Sequence, residues 1–190
     1  MSTETCYSII KSPVDDLLLV ADASALIGVY FAGGNYRPDD RWILDAQHPI
    51  LKQTEKELRE YFAGQRQSFS MPLRPTGTDF QQRIWHGIAR IPYGKTTSYS
   101  ELAKRAGAPE AVRAAGTATG RNPISIIVPC HRVMGKNGDM CGFGGGLPRK
   151  RYLLDLENPH TGERENSTPH QSNTRPRRHH GVSREQLNLI

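Results

Sequence analysis

The sequence predicts an α/β (α+β) fold: a small antiparallel sheet with one helix, then a mainly helical part with a helix-turn-helix and a short hairpin. Residues 6–31 are apolar runs separated by short turn signals, and residues 78–119 hold helically spaced stretches with capping residues. Pro72, Pro75 and Gly77 part the two, which places a linker at about residues 71–77.

The first strands are expected at Cys6–Ile10, residues 17–20 and Leu26–Phe31, with turns at Asp15-Asp16 and at residues 22–24. A polar loop with Gly33-Gly34-Asn35 follows. Leu51, Thr54, Leu58, Tyr61 and Phe62 then recur at helical spacing, with Gly64 as the stop. No residue before position 70 carries a catalytic pattern. Thr78-Asp79-Phe80-Gln81 is a capping box for a helix whose apolar face is Phe80, Ile84, Trp85, Ile88 and Ile91. A second box, Ser98-Tyr99-Ser100-Glu101, opens a short helix closed by Gly107, and Pro109 is placed to start the next at its first turn. Two short helices so joined have helix-turn-helix proportions.

At 190 residues and 36% hydrophobic content the chain can form one compact domain or two small ones. No apolar run approaches the roughly 20 residues of a membrane span, and the start does not read as a leader, so no membrane partner is expected. Three cysteines, Cys6, Cys130 and Cys141, fit a reducing, cytoplasmic setting. Residues 81–152 hold 12 of the 25 Lys and Arg but only 3 of the 19 Asp and Glu. That suits a polyanion such as nucleic acid, or simply a soluble basic surface.

The second helix of the pair is mostly Ala, Gly and Thr, with Arg113 its one long side chain. It suits either close backbone approach to a ligand or tight packing inside the protein. The apolar run at residues 124–128 reads as a short buried strand delivering Pro129-Cys130-His131-Arg132. A thiol beside an imidazole and a guanidinium is placed to shift toward thiolate, while a buried structural cysteine is the plain alternative. Asn137-Gly138 signals a two-residue hairpin. The glycine-rich loop at residues 142–146 lacks a Walker Lys-Ser/Thr ending and the dinucleotide fingerprint context, so no nucleotide cofactor is expected, and a loop this bare lets a flat ligand approach its backbone. In the last helix Glu157 shares a face with Leu153, so its carboxylate points inward to orient an imidazole or else frays at the surface. Cys130-His131 adjacency is the wrong spacing for a metal, so neither metal nor cofactor is expected.

Five blocks now fall together: residues 80–85, 91–99, 111–123, 128–133 and 142–157. In order and spacing they closely resemble the catalytic domain of the O6-alkylguanine-DNA alkyltransferases, the methylated-DNA-protein-cysteine methyltransferases. The resemblance implies a variable RNase H-like α/β domain at 1–76, a catalytic DNA-binding domain at 77–158 and a disordered polar tail at 159–190. It implies direct-reversal DNA repair: one alkyl group passes from O6-alkylguanine, with O4-methylthymine a second candidate, to Cys130, and the protein is spent. Partners would be double-stranded and also single-stranded DNA, bound by a monomer.

The same resemblance assigns roles. Cys130 is the acceptor, served by a relay from Glu157 through His131 and a water, and Asn122 braces its turn. Tyr99 presses on a DNA phosphate and donates toward the base. Arg113 replaces the flipped nucleotide in the stack, while Ala114, Gly116, Thr117 and Ala118 line the DNA-facing helix. Val128, Cys130, Gly144, Gly145 and Tyr99 form the base pocket. Gly144 stands where many relatives carry a small polar residue or Ala, and Cys141 is a departure read as a bystander. A damage sensor that transfers nothing and a thiol hydrolase are the competing functions.

Overall fold

The computed structural model describes residues 4–32 and 36–158. The expected meander is present as β1 (Cys6–Ile10), β2 (Leu17–Ala21) and β3 (Leu26–Phe31), paired antiparallel in sequence order. A two-residue strand absent from the sequence reading, β4 (Ile43–Leu44), adds parallel to β1, giving the order β3-β2-β1-β4. β2 is buried along its whole length. α1 (Pro49–Phe62) covers the sheet with Leu51, Thr54, Leu58 and Tyr61, one apolar stripe at three- and four-residue spacing. Gly64 follows in the left-handed region at φ +71°, the conformation that favours glycine.

The segment read as a linker is stitched down. Leu26 donates to the Pro72 carbonyl at 2.9 Å and accepts from Arg74 N at 2.9 Å, so residues 72–74 run along the open edge of β3. Arg74 also pairs with the buried Asp22. Farther along the same edge, Val29 N meets the Pro123 carbonyl at 2.9 Å and Ser125 N meets the Val29 carbonyl at 3.1 Å. The segment leading to Cys130 is thus docked on the first sheet.

The capping box at Thr78 forms with both of its hydrogen bonds and starts α2 (Asp79–Ala89), which buries Ile84, Trp85 and Ile88. β5 (Thr97–Ser98) leads into α3 (Tyr99–Arg105), whose N-cap Ser98 accepts from Glu101 N. Gly107 closes α3 at φ +74°. α4 (Val112–Gly120) starts later than Pro109: Ala111 N bonds the Ala108 carbonyl at 2.9 Å, so Pro109 serves a turn, where its fixed φ is equally at home.

Residues 124–128 are not a strand. They fold as a tight turn in which Val128 N reaches the Ile124 carbonyl at 3.0 Å and Ile126 sits at φ +72°. A buried apolar run has no periodicity to separate strand from turn, and a β-branched residue at positive φ is a strained exception, of about 1–3 kcal/mol, held by its surroundings. Cys130–Arg132 then form a single 3₁₀ turn. β6 (Val133–Met134) pairs parallel with β5, and Asn137-Gly138 turn as expected at φ 63° and 82°, but among the described residues no strand returns after them. α5 (Leu147–Glu157) ends the described chain, burying Lys150, Leu153 and Glu157. Among the described residues no helix is long and apolar enough to cross a membrane. The polar stretch at 159–190, with His179-His180, and the Gly33-Gly34-Asn35 loop lie outside the described residues.

Candidate active site

Cys130 opens the 3₁₀ turn beneath Asn122, an almost wholly buried residue at the end of α4. Asn122 Nδ2 contacts the Val128 carbonyl at 2.7 Å and Cys130 Sγ at 3.2 Å, while Oδ1 accepts from Ile124 N at 3.0 Å. One side chain thus ties both ends of the turn and supplies a donor to the sulfur. Burial pushes the thiol pKa up, and the Asn122 hydrogen bond, nearby backbone N–H groups and the Lys150 ammonium only partly oppose it. The resting group is a thiol, against the thiolate character expected from its neighbours in sequence: the environment is drier than adjacency suggests.

His131 is completely buried, and its Nε2 meets Glu157 Oε1 at 2.9 Å. Burial lowers the imidazole pKa, with Glu157 pulling the other way, so the ring rests neutral with room to accept a proton. Its Nδ1 is buried and has no hydrogen-bond partner among the described residues. Glu157 receives Arg132 Nε on Oε2 and Arg132 Nη2 on Oε1, each at 2.8 Å, Tyr61 Oη on Oε1 at 2.7 Å and Gly94 N on Oε2 at 3.2 Å. Burial alone raises this carboxyl, but the bonds from His131 and Arg132 bring its pKa down to about 2. The carboxylate is inward and ionised.

Tyr61, Gly94 and Lys150 received no site role from the sequence, and Arg132, expected to act on the thiol, instead binds both oxygens of Glu157. Lys150 is fully buried and donates to the carbonyls of Val133 at 2.6 Å and Cys141 at 2.9 Å. Its place on α5, seven residues before Glu157 and three before Leu153, was a readable signal.

Tyr99 Oη donates to the Gly142 carbonyl at 3.2 Å, across the mouth of the glycine-rich loop. Burial, with the nearby Cys141 and Cys130 thiols, pushes its pKa up to about 12, so it remains a donor. Gly145 is buried: a Cβ there would meet Phe31 Cε2 at 2.6 Å and Phe143 Cε1 at 2.7 Å. Gly144 is exposed, with 3.5 Å to the Gly120 carbonyl. The Val128 carbonyl already accepts from Asn122 and, at 2.8 Å, from Cys130 N, so it braces the turn in place of the expected pocket edge.

On α4, Arg113, Ala114 and Thr117 are exposed and Gly116 is half-covered under the Tyr99 ring. Ala118 departs from that face. It is buried and its carbonyl takes Trp85 Nε1 at 2.8 Å, because α4 must turn one side to α2.

Comparison with known proteins decides the family. A model described as 6-O-methylguanine DNA methyltransferase, DNA binding domain, matches residues 79–159, and one described as the ribonuclease-like domain matches residues 5–75. The methylated-DNA–protein-cysteine methyltransferase of Haemophilus influenzae is 44% identical over 156 residues, 82% of this chain and 87% of its own. The chain belongs to the methylated-DNA–protein-cysteine methyltransferase family.

Its fold agrees with the family's solved structures. The crystal structure of Mycobacterium tuberculosis O6-methylguanine methyltransferase superposes with a TM-score of 0.75 at 44% identity, covering 82% of this chain and 93% of that one. The structure of M. tuberculosis OGT in complex with DNA also gives 0.75 at 44% identity, with 81% and 93% covered. Within this methyltransferase fold, Cys130, His131, Asn122 and Glu157 come together in the folded chain, while Arg113 lies on the exposed face of α4.

Proposed function

We propose that this methyltransferase repairs DNA by taking the alkyl group of O6-alkylguanine onto Cys130 in a single turnover. The observation that carries the reading is the Cys130 thiol set on an Asn122-braced turn beside the buried His131–Glu157 pair, with His131 Nδ1 unpartnered among the described residues. A water at Nδ1 would pass the thiol proton to His131, and Glu157 would stabilise the imidazolium. The sulfur lone pair forms the S–C bond, the C–O6 bond breaks, and its electron pair returns to guanine as Tyr99 donates a proton. The thioether product has no leaving group these residues can release, so each molecule acts once.

Exposed Arg113, Ala114 and Thr117 support laying α4, the second helix of a helix-turn-helix, along the minor groove of duplex DNA. Arg113 would fill the gap left by the flipped base, and the relative solved with DNA supports the partner. Gly144, Gly145 and Tyr99 then border the base. We read residues 1–76 as a supporting domain and 77–158 as the catalytic one, in a cytoplasmic monomer that also accepts single-stranded DNA and O4-methylthymine.

Intact and peptide mass spectrometry after incubation with a duplex containing one O6-methylguanine tests this. One methyl on the Cys130 peptide, saturating at one per protein and absent from Cys130→Ser, is the expected result. Tight binding with no mass change would make the protein a sensor.

A further inference from the structure

We propose that Tyr61 is a positioning residue of the alkyl-transfer site, a donor supplied by the sheet-bearing half that divides the Glu157 carboxylate between itself and His131. The proposal rests on reading His131 and Glu157 as the proton relay.

Tyr61 lies on the buried face of α1, 96 residues before Glu157, with no exposed surface. Its ring packs edge-on against Phe62 and Tyr93 and tilted against Phe69, which a phenylalanine would do equally well. Packing leaves the hydroxyl unexplained. It donates at 2.7 Å to Glu157 Oε1, the oxygen that also takes His131 Nε2 and Arg132 Nη2. Burial and the charge of Glu157 keep the phenol protonated, so it donates throughout the working pH range.

Three donors on one oxygen share its charge. Arg132 and Gly94 N fix the carboxylate's orientation whether or not Tyr61 is present, so the Tyr61 hydroxyl governs how much negative charge is left for the imidazole. The other groups near this pair are Lys150 on α5, Cys130 and Arg132 on the site turn and Tyr93 after α2, and a Tyr61→Phe substitution retains all of them.

Tyr61→Phe is expected to raise the His131 pKa by about half a unit or more, because the uncompensated carboxylate favours imidazolium. Ring NMR titration reads this, with the signal assigned through His131→Gln. In a Glu157→Gln background the same substitution should leave His131 unmoved. No shift from Tyr61→Phe, or an equal shift in both backgrounds, overturns the proposal. Should the variant not fold, the unsubstituted protein decides: the Tyr61 hydroxyl proton should shift with the His131 titration, and indifference to it overturns the proposal. The titration needs no substrate, so a protein that transferred no alkyl group would sink the proposed function separately.

Discussion

Arg132 grips both oxygens of Glu157 in a parallel fork, Nε to Oε2 and Nη2 to Oε1 at 2.8 Å each, one residue along from the imidazole that shares Oε1. Its third nitrogen, Nη1, donates to the Ile91 carbonyl at 2.6 Å. A guanidinium is needed for this geometry, since an ammonium cannot span two oxygens and a carbonyl at once. Arg132→Ala should therefore cost about 3–5 kcal/mol of stability by leaving a buried carboxylate uncompensated. Urea unfolding at neutral pH measures it, and a loss under 1 kcal/mol would show that Gly94 and Tyr61 suffice.

The same cluster makes stability sensitive to acid. Glu157 titrates near pH 2 when folded, below its ordinary value, and His131 is likewise lowered. For each group the unfolded chain binds protons first, so the stabilisation is complete above pH ~6.5 and is lost as pH falls through each folded pKa. Urea midpoints should fall as the pH goes from 7 toward 3, and the double variant His131→Gln/Glu157→Gln, which removes both titrating groups, should flatten the decline below pH 5. An equally steep decline in that variant would place the acid sensitivity elsewhere.

Exposed Arg113 touches DNA only if α4 lies in the groove. On the proposed base-flipping reading, Arg113→Ala should slow repair of a duplex lesion by roughly tenfold or more, since base unstacking costs a few kcal/mol that an inserted side chain would offset. Reaction with free O6-benzylguanine should be almost unchanged. Equal losses on both substrates would remove the finger role.

Two neighbouring glycines should respond unequally to the same substitution. Gly145→Ala forces a methyl into the rings of Phe31 and Phe143 and should cost about 1–3 kcal/mol. Gly144→Ala meets its nearest neighbour at ordinary contact distance, so stability should change by no more than about 0.5 kcal/mol. Thermal melts of the two variants compare them directly, and equal losses would mean that the loop packs otherwise.

Much of the fold could be read from local pattern. Strands at 6–10 and 26–31, the stripe on α1 and the Thr78 box each announce themselves within a dozen residues. Cys130, His131, Asn122 and Glu157 were legible because adjacency and motif order mark them. Tyr61 was not, because at its spacing an aromatic on α1 looks like any core residue, and its partner lies 96 positions away. The turn at 124–128 was missed for another reason: Asn122, outside the apolar run, dictates its shape through side-chain bonds that hydrophobic pattern does not encode.

The outer edge of β3 carries a further consequence. An unpaired edge is a template for a foreign strand, and proteins blunt such edges with charge, proline or cover. Here residues 72–74 and 123–125 occupy it, two of them prolines. A fragment cut near residue 76 would present the Val29 N–H and carbonyl to any passing strand. The joint that docks the Cys130 turn also covers an edge that would otherwise be open to strand pairing.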